Sequence, residues 1–243
     1  MNGNYIRSIS IDWSLITPDS YLRDISALRF DGGIELDHPV TFFVGENGTG
    51  KSTLLEAVAV ACGFSAEGGT INFSFSTYDS HSELYKAVKL AKGVKRPASS
   101  YFLRAESFYN VASKAEEYRD LPEELYYYGG KSFHRQSHGE SFLALAQGSF
   151  QPGGLYLLDE PEAALSPQRQ LTLLIEIHRL ANLGAQFIIA SHSPILLGIP
   201  GAQILSFDDG CIHPCDYRDT ESYRITKTFV NNPEHFLEIL LEE

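Results

Sequence analysis

Eight consecutive residues carry the pattern of a phosphate-binding loop. The segment matches G-x-x-x-x-G-K-[ST] in full and lies between an apolar strand-like run and an apolar helix-like run; its residues are Gly45, Glu46, Asn47, Gly48, Thr49, Gly50, Lys51 and Ser52. Glycines let the backbone amides turn toward phosphates, and the N-terminus of the following helix favours negative charge. Lys51 is suited to reach the terminal phosphates and Ser52 to bind Mg²⁺. Together with Thr53, these residues predict a nucleotide and Mg²⁺ site.

Two adjacent carboxylates follow the apolar run GLYLLD. Because successive residues at the end of a strand point in different directions, Asp159 and Glu160 can take different roles. Asp159 is predicted to hold Mg²⁺ and Glu160 to act as general base on the attacking water. A surface turn could also place Asp-Glu after a strand, but the presence of a phosphate loop in the same chain favours the catalytic interpretation.

The order of the elements predicts how these motifs are positioned. The 243 residues have an ordinary globular composition, with 43% hydrophobic residues, and fit one α/β domain over 1–243. Short strands, including YIRSISI, ISALRF and IELDHPVTFFVG, precede the loop. From about Ser141 onward, helices and buried strands alternate, which indicates a mainly parallel sheet. The residue pattern of 68–136 differs from that of the flanking segments, and it predicts an inserted helical lobe with a lysine-bearing helix near 81–92. An amphipathic helix closes the chain.

The motif order resembles that of the ABC ATPase superfamily over residues 38–197, and most closely its SMC- and RecF-like soluble branch. Residues 137–141, SHGES, look like the signature motif. By this resemblance Ser137 and Gly139 would contact the γ-phosphate held by the opposite protomer, and Glu140 of the same motif is counted among the nucleotide-binding residues. Gln136 stands where the family has leucine, and His138 where it has the first glycine. Ser137 and Glu140 also fit a purely structural capping box.

Three further positions follow from the same resemblance. His192, two residues after the run FIIAS, matches the switch histidine that senses the γ-phosphate and helps to position the attacking water. Glu106 occupies the place of a Mg²⁺-contacting glutamine, and a glutamate can also ligate Mg²⁺. The alternative for Glu106 is a solvated surface carboxylate. Residues 164–167 correspond to the loop that packs across the dimer.

The resemblance implies the P-loop NTPase fold of an ABC-ATPase head, and Mg²⁺-dependent ATP hydrolysis at a site completed across an ATP-dependent homodimer. No long heptad segment separates the motifs, so coiled-coil arms are not expected. The implied role is to gate an effector, such as a nuclease or toxin, in DNA repair or phage defence. A transporter motor and a scaffold with little turnover are the alternatives. Glu160 argues against the scaffold, and the altered signature with Glu106 weakens the transporter.

Charge and composition restrict the partners. A formal net charge of −12 opposes DNA binding, although Lys86, Lys89, Lys92, Lys95 and Arg96 could form either a basic stripe or a solvated face. The apolar runs are shorter than a membrane span, no signal pattern begins the sequence, and three cysteines fit a reducing compartment, which together predict a cytoplasmic protein. The sequence C-x-H-x-C at 211–215 lacks further zinc ligands. Trp13 and Tyr21 are candidates for stacking on a base.

Overall fold

The fold contains two β-sheets. A computed structural model describes residues 3–71, 82–104, 143, 146 and 148–241. The smaller sheet is antiparallel, with β1 (Ile6–Ile11) between β2 (Ile34–Glu35) and β4 (Val88–Lys92). The predicted N-terminal antiparallel strands are therefore present, and the third strand of their sheet comes from much later in the chain.

The larger sheet has six strands in the order β5-β6-β7-β3-β8-β9. Its members are β3 (Val40–Val44), β5 (Ser100–Arg104), β6 (Leu155–Asp159), β7 (Gln186–Ala190), β8 (Gln203–Ser206) and β9 (His213–Pro214). The first five are parallel, and only β9 runs antiparallel to its neighbour. This confirms the predicted α/β fold with a mainly parallel sheet, and it places the carboxyl ends of five strands along one edge.

Helices connect and flank the strands. They are α1 (Lys51–Cys62), α2 (Leu84–Ala87), α3 (Pro167–Asn182), α4 (Glu221–Asn231) and α5 (Pro233–Leu241). α1 ends at Gly63, whose φ of 100° is a left-handed C-cap. α3 buries Leu173, Ile177 and Leu180, which recur at helical spacing. Within the described ranges, no helix is long and apolar enough to cross a bilayer.

The core lies in two layers, one on each face of the six-stranded sheet. Phe43, Leu157 and Ile188 point into the layer that contains α1 and the antiparallel sheet. Their neighbours Phe42, Leu158 and Ile189 point to the other face, where α3 packs. Because every residue of β3, β6 and β7 is buried, these strands read as continuous apolar runs.

Two local predictions are wrong. The helix expected near 81–92 covers only Leu84–Ala87, because Val88–Lys92 forms a strand against β1 in which Val88 and Leu90 contact the core while Lys89 faces solvent. The strand expected at ISALRF is a 3-10 turn over Ser26–Leu28. Ala27 and Leu28 are both buried, and a strand with one exposed face does not bury two successive side chains.

The described part of the predicted inserted lobe is built into the two sheets. Val88–Lys92 belongs to the antiparallel sheet and Ser100–Arg104 forms one edge of the six-stranded sheet. An inserted lobe over 68–136 stays a prediction, with two of its described segments paired in these sheets. The remainder of the predicted lobe, at 105–136, lies outside the described residues.

Candidate active site

The phosphate loop connects β3 to α1 and is shaped by glycine. Gly45, Gly48 and Gly50 have φ values of 136°, 82° and 96°, a region that side chains rarely adopt. A Cβ at Gly50 would also lie 2.7 Å from Ile25 Cγ2. The loop thus needs glycine at Gly50 for its backbone angle and for the close packing of the turn over Ser26–Leu28.

Lys51 spans the inside of this loop. Its Nζ donates hydrogen bonds to the carbonyl oxygens of Gly45 and Glu46, both at 2.7 Å, and the residue is only 5% exposed. Burial lowers the pKa of Lys51, while the nearby carboxylates of Glu160, Asp208, Asp159 and Glu162 oppose this shift. The loop, together with this ammonium, therefore sits in a strongly charged setting suited to phosphate chemistry.

Ser52 and Asp159 meet at the start of α1. Ser52 Oγ donates to Asp159 Oδ1 at 2.8 Å, and Arg104 Nε lies 3.7 Å from Asp159 Oδ2. Mg²⁺ in nucleotide sites is usually bound by few protein oxygens together with phosphates and water. A hydroxyl and a carboxylate side by side fit that pattern. No group of three or more metal-binding His, Cys, Asp or Glu side chains occurs in the part of the chain that is described.

Glu160 stands at a strained turn. It has φ 50° and ψ 51°, the left-handed conformation that costs a non-glycine residue about 1–2 kcal/mol, and its N–H donates to Ala190 O at 2.9 Å. A 3-10 turn, Pro161–Ala164, follows at once. The strain turns the chain sharply at the end of β6, so that Glu160 and Asp159 diverge. Such strain is typical of functional positions.

His192 lies at the neighbouring strand end, two residues beyond β7. Burial and the positive charge of Lys51 lower the pKa of its imidazole, so the neutral form dominates at neutral pH. Its Nε2 is buried and has no hydrogen-bond partner among the described residues. The backbone N–H of His192 donates to Glu162 Oε1 at 2.6 Å.

Three residues that the sequence analysis missed complete this edge. Arg104 donates to Glu56 at 2.5 Å and approaches Asp159. Asp208 Oδ1 accepts from the backbone N–H of Glu46 at 2.9 Å and thereby anchors the loop to the turn after β8. Glu162, whose Oε1 accepts the hydrogen bond from the His192 N–H, is the third. The signal available in advance was positional, because all three follow or end strands of the parallel sheet.

An open cleft of about 1040 Å³ extends from the phosphate loop toward α4 and α5. His192 and Asp208 line it, as do Asp24 and Arg224. Trp13 and Tyr21 are not among its lining residues, so neither sequence candidate for base stacking lies in this cleft. Its size suits a small-molecule ligand.

Several predicted residues cannot be compared with the geometry. Glu106, Ser137, Gly139 and Glu140 lie outside the described residues. The sequence C-x-H-x-C brings Cys211 Sγ within 3.7 Å of His213 Nδ1. No third metal ligand joins them in the described ranges, and zinc has no support there.

Comparison with known proteins agrees with this geometry. Two family models match: "AAA domain" over residues 22–135 and "AAA domain, putative AbiEii toxin, Type IV TA system" over 141–198. A putative metal-chelate type ABC transporter, at 17% identity over 93% of this chain and 88% of its own, has the same fold with a TM-score of 0.50. The chain is therefore similar to these AAA domain families, and it shares its fold with this ABC transporter protein.

Other solved structures are also similar to this chain. The SMC head domain from Thermotoga maritima matches at 15% identity, over 87% of this chain and 99% of its own, with a TM-score of 0.46. An ATP-binding cassette of an ABC transporter in its ADP conformation matches at 18% identity, over 98% and 99%, with a TM-score of 0.49. No curated protein sequence matches significantly.

Proposed function

We propose that this protein is an ABC/SMC-like ATPase, which binds Mg²⁺·ATP and hydrolyses it to ADP and phosphate. The observation that carries the proposal is the 2.8 Å contact between Ser52 of the phosphate loop and Asp159 at the end of β6. This contact joins the phosphate-binding segment to the carboxylate pair. Lys51 and Glu160 then lie on either side of that junction, next to Ser52 and Asp159 in the chain.

Each residue has a defined task in this reaction. The backbone amides of the loop and the N-terminus of α1 bind the phosphates, and Lys51 exchanges its two carbonyl contacts for the terminal phosphate oxygens. Ser52 and Asp159 would hold Mg²⁺, which supplies neutralising charge to the phosphates when bound. Arg104, paired with Glu56, limits the movement of Asp159.

Glu160 and His192 act on the attacking water. The water oxygen forms the new bond to the γ-phosphorus as the bond to the ADP oxygen breaks, and the water proton passes to the Glu160 carboxylate. The neutral imidazole of His192 offers its unpartnered Nε2 to the γ-phosphate. His192 lines the same cleft as Gly45, Gly48 and Thr49, so a rotation of its side chain that exposes Nε2 would bring this atom toward the phosphates.

We further propose that the site is completed by a second copy of the chain. By resemblance, Ser137 and Gly139 of the other protomer would bind the γ-phosphate, and Glu106 would approach Mg²⁺. The family model over 141–198 carries a toxin–antitoxin description, which supports a defence-linked effector, such as a nuclease or toxin, over a membrane permease as partner. The fold alone does not distinguish these partners.

Glu160→Gln tests the proposed reaction. Loss of the base should lower kcat for phosphate release by about a hundredfold or more while the Kd for Mg²⁺·ATP stays within about threefold, since the loop is untouched. Light scattering should show that Mg²⁺·ATP doubles the mass of this variant. Glu35→Gln, an exposed carboxylate on β2, is the matched control. Wild-type turnover in Glu160→Gln would contradict the role of Glu160.

A further inference from the structure

Glu162 is a buried carboxylate that the proposed reaction does not use. It lies in the 3-10 turn Pro161–Ala164, two residues after Glu160, and its Oε1 accepts the His192 N–H at 2.6 Å. Its Oε2 is buried and lacks a partner in the described part of the chain. Burial, with the charge of Glu160 adding to it, raises the pKa of Glu162. Burying a carboxylate lowers the stability of the fold unless hydrogen bonds or opposite charges compensate for the lost hydration. A functional role would explain why a carboxylate occupies this position.

A second contact ties the other side of His192 to the same segment. Ser193 Oγ donates to Gln170 Oε1 at 2.6 Å, and Gln170 Nε2 donates to Leu165 O at 3.0 Å. Leu165 lies in the predicted inter-subunit loop, and its N–H donates to Glu162 O at 2.8 Å. His192 is therefore held at its own backbone N–H by Glu162, and through the neighbouring Ser193 by Gln170.

We propose that Glu162 is a positioning residue for ATP hydrolysis, which fixes the switch histidine through an acceptor oxygen on the His192 amide. The contact sets the backbone of His192, and hence the direction of its imidazole, relative to Glu160 on the adjacent strand end. Gln170 provides the second fixed point, so that a shift of residues 164–167 on dimer contact reaches His192 along two hydrogen-bonded routes. This inference rests on the proposed ATPase function.

A merely structural brace would behave differently. Gln186, at the opposite end of β7, provides such a brace, because its carboxamide accepts from the N–H groups of Tyr5 and Ile6 and donates to Ile6 O. Removing the Gln186 side-chain bonds should lower the melting temperature without changing kcat measured well below it. Removing the Glu162 contact should change kcat.

Four variants separate these cases. Glu162→Met removes the acceptor at similar length, and we expect kcat to fall about tenfold or more with KM for ATP within about threefold. Glu162→Gln keeps an acceptor oxygen, and kcat should stay within about threefold of wild type. Gln186→Met is the control for a lost brace. Gln170→Met, which removes only the second contact, should lower kcat less than Glu162→Met and takes its place if Glu162→Met does not fold.

Amide hydrogen exchange of His192 gives a readout that does not depend on turnover. The His192 N–H should exchange faster in Glu162→Met and remain protected in Glu162→Gln and Gln186→Met. Unchanged exchange and unchanged kcat in Glu162→Met would overturn the proposal, as would an equal loss of kcat in Glu162→Gln. If the wild-type protein does not hydrolyse ATP but the exchange pattern holds, the proposed function fails while the contact between Glu162 and His192 stands.

Discussion

Two short ion pairs, each with one partner on a different sheet, show how differently this protein uses charge. Arg104 and Glu56 approach to 2.5 Å at the edge of the parallel sheet, with side chains only 22% and 11% exposed. Lys89 and Asp12 approach to 2.7 Å in the antiparallel sheet, with side chains 65% and 30% exposed. The distances are nearly equal, so burial decides which pair matters. Water screens the second pair. Burial keeps water away from the first pair, so that pair is screened much less.

The direction of the strands explains why the buried charges lie where they do. Parallel strands all end at one edge, and that edge collects Lys51, Arg104, Asp159, Glu160 and His192. Strands of an antiparallel sheet end alternately at opposite edges, so that sheet has no shared polar edge. Its inward side chains contribute to the core, and its lysines face solvent. Three substitutions test this contrast.

Lys51→Ala should have the largest effect. It removes the ammonium inside the phosphate loop, whose charge-assisted bonds to phosphate are worth about 1.5–3 kcal/mol each, so the affinity for ATP should fall at least tenfold, or about 1.4 kcal/mol. Calorimetric titration measures it. Lys86→Ala, which removes an exposed lysine on α2, is the control and should bind like wild type. An affinity within about threefold of wild type in Lys51→Ala would remove the basis for the phosphate-loop assignment.

Arg104→Met should have the next largest effect, and it acts on stability. The substitution removes the cation that is paired with Glu56 and lies near Asp159 in a mostly buried place, and we expect a loss of about 2–3 kcal/mol in the free energy of unfolding. Urea denaturation measures it. The double variant Arg104→Met/Glu56→Leu removes both charges of the pair and should recover part of the loss. A single variant as stable as wild type would show that this edge is better hydrated than its burial indicates.

The sequence was sufficient where the chemistry is contiguous in the chain. The phosphate loop, the adjacent Asp159 and Glu160, and the buried strands before them are local patterns, and the structure contains the strands that those patterns predicted. It also brings Ser52 Oγ within 2.8 Å of Asp159 Oδ1, next to which the Mg²⁺ site is predicted. The contacts of Arg104 and Glu162 were not predicted, because their partners lie 48 and 30 residues away in the chain and are brought close only by the sheet. Val88–Lys92 was misread for the same reason, since it pairs with a strand at the start of the chain.

Reversal of Lys86, Lys89 and Lys92 to glutamate should have the smallest effect. All three side chains are exposed, and the only ion pair described for them is Lys89 with Asp12, whose hydrogen bond with Lys89 lowers the pKa of that carboxyl to about 2. Losing a screened surface pair should shift the melting temperature by no more than about 3 °C, and ATP affinity should stay within about threefold. Thermal denaturation and calorimetry measure these two quantities.

The same triple reversal also tests whether the lysines form a nucleic-acid surface. The net charge of −12 opposes a phosphate backbone, and Lys89 is already engaged by Asp12, so the wild-type protein should show no appreciable binding to double-stranded DNA near physiological salt. If these lysines did neutralise phosphates, each contact would add about 0.9 to the slope of log affinity against log salt. Fluorescence anisotropy across a salt series measures that slope. Micromolar binding that weakens steeply with salt and disappears in the triple reversal would make the antiparallel sheet a functional surface. Both sheets would then bind a ligand, and they would differ only in which ligand each binds.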